Sequence, residues 1–82
     1  MNKTDLEVVK RFATDCCNGL GIAVPKIELD IGKVVVIHSD NEKLADILAQ
    51  DLGRRGYNYD VWLHEDEVDD GVNETVIRVD HK

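Results

Sequence analysis

The sequence predicts an α+β fold, a two-layer sandwich of order α-β-β-α-β-β with two helices packed on one face of a four-stranded mixed sheet. Three observations carry this. Val34, Val35, Val36 and Ile37 form an unbroken β-branched run, the pattern of a strand buried on both faces. Two segments, residues 4–19 and 40–55, repeat apolar residues at helical spacing. Three more, residues 26–31, 57–64 and 75–80, alternate apolar and polar side chains as half-buried strands do.

The first helix is expected over residues 4–19. Thr4 with Glu7 fits a capping box. Leu6, Val9, Ala13, Cys16 and Leu20 make the apolar stripe, widened by Phe12 and Cys17, and Asn18-Gly19-Leu20-Gly21 supplies the stop. Ile27, Leu29 and Ile31 then share one face of a strand that Pro25 marks as an edge. Gly32-Lys33 turns it into the 34–37 run as a hairpin.

Ser39 is the expected cap of the second helix, with Glu42 closing a capping box. Leu44, Ile47, Leu48 and Leu52 point inward, Arg54 and Arg55 suit the C-terminal dipole, and Gly56 is the stop. In the next strand Tyr57, Tyr59, Val61 and Leu63 face the core, with Trp62 opposite. Strand, helix and strand in succession imply a right-handed crossover between parallel strands. The last strand pairs antiparallel with the preceding one across a loop whose turn is Asp70-Gly71, and His81 and Lys82 fray. The outer sheet face shows Glu28, Asp30, Trp62 and Arg78, a contact surface for a partner or, as a homodimer, for a second copy.

All 82 residues fit a single small domain. No apolar run approaches the roughly 20 residues that span a membrane. No signal peptide is read, so the expected location is cytoplasmic and both cysteines are reduced. Adjacent Cys16 and Cys17 cannot bridge on a helix, and neither a CxxC nor a four-ligand thiol site is present.

The charge is more informative. Ten Lys and Arg stand against seventeen Asp and Glu, a net −7. Residues 56–77 hold seven acids, Asp60, Glu65, Asp66, Glu67, Asp69, Asp70 and Glu74, and no Lys or Arg. The whole net charge therefore falls on one hairpin and its loop. Charge runs often serve only as solvated surface. The functional alternative is an acidic patch, from Asp60 to Glu74 with Trp62 beside it, that docks on the basic surface of a larger protein and imitates a phosphate array. Direct nucleic-acid binding is disfavoured by the absence of a basic stripe. A calcium loop starting at Asp66 fails because Val68 occupies the third ligand position, although Asp70 and Gly71 fit. A zinc site from His38, His64 and His81 is unfavourable because His64 and His81 fall at opposite ends of their strands. Asn73-Glu74-Thr75 matches a glycosylation sequon. The His38-Ser39-Asp40 turn has no glycine, so it is no phosphate or dinucleotide loop, and no cofactor is implied.

From Gly32 onward the chain resembles the second half of the small sulfur-carrier proteins of the TusA type. It shares a glycine-led apolar strand, a short acidic turn, a helix, and two strands ending near Ile77-Arg78. Their Cys-Pro-x-Pro motif is missing, since Cys16 is followed by Cys17-Asn18, and no residue role is carried over.

The reading that results is a non-enzymatic interaction protein whose acidic hairpin engages and regulates a basic partner. Phage-encoded inhibitors of nucleic-acid enzymes offer an analogy. The alternative is a small carrier or enzyme centred on the Cys16 thiol or on the His38-Ser39-Asp40 turn.

Overall fold

The computed structural model describes residues 1–30 and 34–82. Its elements run α1 (Lys3–Leu20), β1 (Ile27–Leu29), β2 (Val35–Ile37), α2 (Glu42–Arg54), β3 (Tyr59–Asp69) and β4 (Val72–His81). The expected order of elements is present. The sheet, however, is entirely antiparallel, in the order β1-β2-β4-β3, where a mixed sheet was expected. β2 and β3 do run parallel, but β4 lies between them. The tight turn at Asp70-Gly71, with Gly71 at φ 75°, returns the chain directly onto β3, and β4 then takes the free edge of β2.

The register decides which residues share a face. Ile27, Ile37, Ile77 and Leu63 stand in one cross-strand row, and Leu29, Val35, Val79 and Val61 in the next. Both rows join Val9, Ala13, Cys16 and Cys17 of α1 and Leu44, Ala45, Leu48 and Leu52 of α2 in a single core. Glu28, Val36, Arg78 and Trp62 form a row on the opposite face. Val36 and Val76 are buried there too, outside the main core. β2 is thus buried on both faces and central, as its unbroken apolar run implies.

Both helices begin elsewhere than expected. Asn2, not Thr4, caps α1: its side chain accepts the Asp5 N–H at 3.0 Å, and the Asp5 carboxylate accepts the Asn2 N–H at 2.9 Å. Asn41, not Ser39, caps α2 and accepts the Leu44 N–H at 3.2 Å. Ser39 Oγ instead accepts the Asn41 N–H at 3.2 Å, a turn that leads into the cap. Asparagine caps at least as well as Ser or Thr, so the earlier Asn prevails in one helix and the later in the other. α1 runs on to Leu20 and stops at Gly21, whose φ of 71° needs glycine.

The C-terminus does not fray. His81 pairs with Tyr59, the Lys82 N–H donates to Asn58 O at 3.1 Å, and His81 Nε2 lies 3.5 Å from Asp5 Oδ2. The Tyr59 hydroxyl donates to Asp5 Oδ1 at 2.7 Å. This one carboxylate therefore ties the start of α1 to β3 and to the chain end. Ile31 and the expected Gly32-Lys33 turn lie outside the described residues.

Candidate interaction surface

The β3–β4 hairpin outgrows the sheet. β1 and β2 have three residues each, while β3 has 11 and β4 has 10. β2 reaches β4 only from Ile77 to Val79. Beyond that point the hairpin is a two-stranded ribbon ending at Asp70-Gly71. The acidic stretch expected as a loop is therefore mostly strand. Glu65 pairs with Thr75, Asp66 with Glu74 and Glu67 with Asn73, and a register shift follows between Glu67 and Asp69.

Strand pleating divides the acids between two faces. Asp66 and Glu74 lie on the outer sheet face and are engaged internally. Arg78 Nη2 donates to Asp66 Oδ1 at 2.7 Å, and His64 Nε2 lies 3.2 Å from the same oxygen. Glu74 Oε1 is 2.9 Å from His38 Nδ1, and Glu28 Oε1 is 3.0 Å from His38 Nε2. Lys26 Nζ adds a pair to Glu28 at 3.2 Å. One imidazole thus bridges β1 and β4 with both nitrogens. The hydrogen bonds to Glu74 and then Glu28 hold His38 above its ordinary value, and the His38 bond holds Glu28 below its own.

Glu65 and Glu67 lie on the other face of the ribbon. Both are exposed and form no side-chain hydrogen bond or ion pair among the described residues. Asp70 is exposed at the turn. Asp69 pairs with Val72, and its side chain lies outside the described part. Trp62 sits on the outer face, 37% exposed, beside Arg78 in register. Of the acids singled out from the sequence, Glu65 and Glu67 are thus exposed and without a side-chain partner among the described residues, while Asp66 and Glu74 are engaged by Arg78, His64 and His38. This division is not legible in the sequence, because it depends on which face each acid shares with Arg78 or His38.

The other expected sites look different in the fold. Cys16 is buried, with Sγ 3.4 Å from Asp51 Oδ2. Burial, helped by Asp51, pushes its thiol up to about 12, and burial raises Cys17 as well. At His38-Ser39-Asp40 the histidine nitrogens face carboxylates and the serine accepts a backbone N–H. Among the described residues no group of three or more His, Cys, Asp and Glu is arranged to hold a metal. No helix there is long and apolar enough to cross a membrane.

A cleft of about 470 Å³ went unread in the sequence; it is lined by Arg11, Phe12, Asp15, Arg55 and Tyr57. Phe12 meets Tyr57 edge-on at 5.7 Å and Tyr57 stacks on Tyr59 at 5.5 Å. Tyr57 had been assigned to the core face but is 39% exposed, because β3 begins only at Tyr59.

Comparison with protein-family models, curated proteins and solved structures finds no match to this chain. The functional reading therefore rests on the residues themselves.

Proposed function

We propose that this chain is a non-enzymatic interaction protein that docks its acidic β3–β4 hairpin on a basic surface of a larger protein and regulates it. The observation that carries the reading is the state of Glu65 and Glu67. They share one face of the two-stranded ribbon, at about 6.7 Å spacing along the strand, and among the described residues no side-chain hydrogen bond or ion pair neutralises them. Such carboxylates steer a cationic partner and contribute to specificity. The partner class best suited is a protein whose basic surface otherwise meets phosphates, so that occupancy by the hairpin inhibits it. The thiol alternative is weaker, since a buried, protonated Cys16 is a poor nucleophile.

The test is a pull-down from lysate with the wild type and with the E65K/E67K variant, at low and high salt. The proposal expects one basic protein held by the wild type at low salt, shed at high salt and not held by the variant. Identical retention by both proteins rejects it.

A further inference from the structure

We infer that the outer edge of β3 receives an extended, lysine- or arginine-rich segment of the partner as an added strand, seated in the trough between β3 and α2. The inference rests on the acidic-hairpin reading and specifies how the partner engages.

The sheet order leaves two edges. The β1 edge is three residues long and is preceded by Pro25 and Lys26, features that blunt an edge. The β3 edge is 11 residues long, and among the described residues no strand lies beyond it. Long unpaired edges are templates for strand addition. Alongside this one runs a trough of about 230 Å³, lined by Val61, Trp62 and Leu63 of β3 and by Glu42, Ala45, Asp46 and Ala49 of α2. The four helix positions recur at i, i+3, i+4 and i+7, so they share one flank of α2, on which Ala45 belongs to the buried stripe and Glu42, Asp46 and Ala49 lie beside it. Ala45 and Ala49 leave room above the strand edge for the side chains of an incoming chain.

Charge selects the occupant. Glu42 and Asp46 are exposed, and their side chains form no hydrogen bond or ion pair among the described residues. Glu65 and Glu67 continue the same sign along the strand. A second copy pairing edge to edge would set these acids against their own kind, which opposes self-addition. A basic strand meets the carboxylates with cations and the open edge with backbone hydrogen bonds.

The probe is an alternating lysine–valine peptide. An alternating lysine–proline peptide of equal charge serves as control, because proline removes backbone donors. Trp62 is the chain's one tryptophan and lies on the outer face beside this edge, so its fluorescence reports on occupation of the β3 edge. Amide hydrogen exchange at Val61 and Leu63, whose N–H groups face away from β4, reports on strand pairing. The expected result is saturable binding of the lysine–valine peptide, with exchange in these residues slowed about tenfold or more. Ala49→Arg and Asp46→Lys should each weaken binding about tenfold, with circular dichroism verifying that each folds. Absence of binding, equal binding of the lysine–proline peptide, or unchanged exchange at these residues overturns the inference. If E65K/E67K abolishes binding while Ala49→Arg leaves it intact, the trough is wrong and the acidic hairpin stands. If Ala49→Arg abolishes binding while E65K/E67K leaves it intact, the edge stands and the hairpin reading falls.

Discussion

His38 shows how far single residues are set by their neighbours across the sheet. From the sequence it was a histidine at a strand end. In the fold its two nitrogens are shared by Glu74 at 2.9 Å and Glu28 at 3.0 Å, which favours the doubly protonated ring. The folded value lies above the ordinary 6.5. These pairs therefore stabilise fully below about pH 6.5, and their contribution fades as pH rises through the raised value. Glu28 has the opposite sense: its lowered carboxyl contributes above its ordinary range and loses that contribution as pH falls through the depressed value. Thermal melts across pH should show wild-type stability declining on the alkaline side of this window and a flatter profile for His38→Ala; parallel profiles would remove the bridge from the account. The thiols give a second residue-scale prediction. Both are buried and protonated, so iodoacetamide should label them slowly in the native protein and readily in denaturant. Rapid native labelling of Cys16 would revive the thiol alternative. Burial of the cysteines could be read from their helical spacing. Engagement of Asp66 by Arg78 and of Glu74 by His38 could not, because these partners reach them only through the strand register.

Among the elements, helices and strands were legible in type and less so in their ends. The stripe Leu44, Leu48 and Leu52 is buried as its spacing requires, and the central burial of β2 follows from its unbroken apolar run. The caps were misread because three kinds of good capping residue crowd each helix start. Thr4 and Ser39 were favoured by the Glu three residues on, yet Asn2 and Asn41 make the bonds. Asn2→Ala and Asn41→Ala should each cost about 1 kcal/mol in urea unfolding, with Thr4→Ala and Ser39→Ala costing less. The reverse ranking would mean that the helices start where the sequence pattern placed them. Strand lengths were missed for a different reason. Glu, Asp and Asn are poor strand formers, so residues 65–74 read as a loop. The two-residue turn at Asp70-Gly71 nevertheless propagates the ladder through them. Strand order is not legible either, since it depends on β4 pairing with both β2 and β3 and so lying between them.

At the scale of the molecule, the fold separates two ends of unlike character. The hairpin carries exposed acids, of which Glu65 and Glu67 have no side-chain partner among the described residues. Arg11 and Arg55, which form no ion pair among the described residues, line a cleft with Phe12 and Tyr57. The chain's net −7 is thus a local property of one ribbon more than a general surface charge. The outer sheet face, considered from the sequence for a homodimer, carries the ion pairs of Glu28, His38, Glu74, Asp66 and Arg78 around Trp62. Light scattering over a range of concentrations separates self-association there from capture of a different protein. The most direct measurement for the central claim is calorimetric: the Kd of the captured basic partner for wild type and for E65K/E67K at several salt concentrations. The account predicts a wild-type affinity that falls with salt and is weakened roughly tenfold or more in the variant. Equal affinities and equal salt dependence for the two proteins would contradict it.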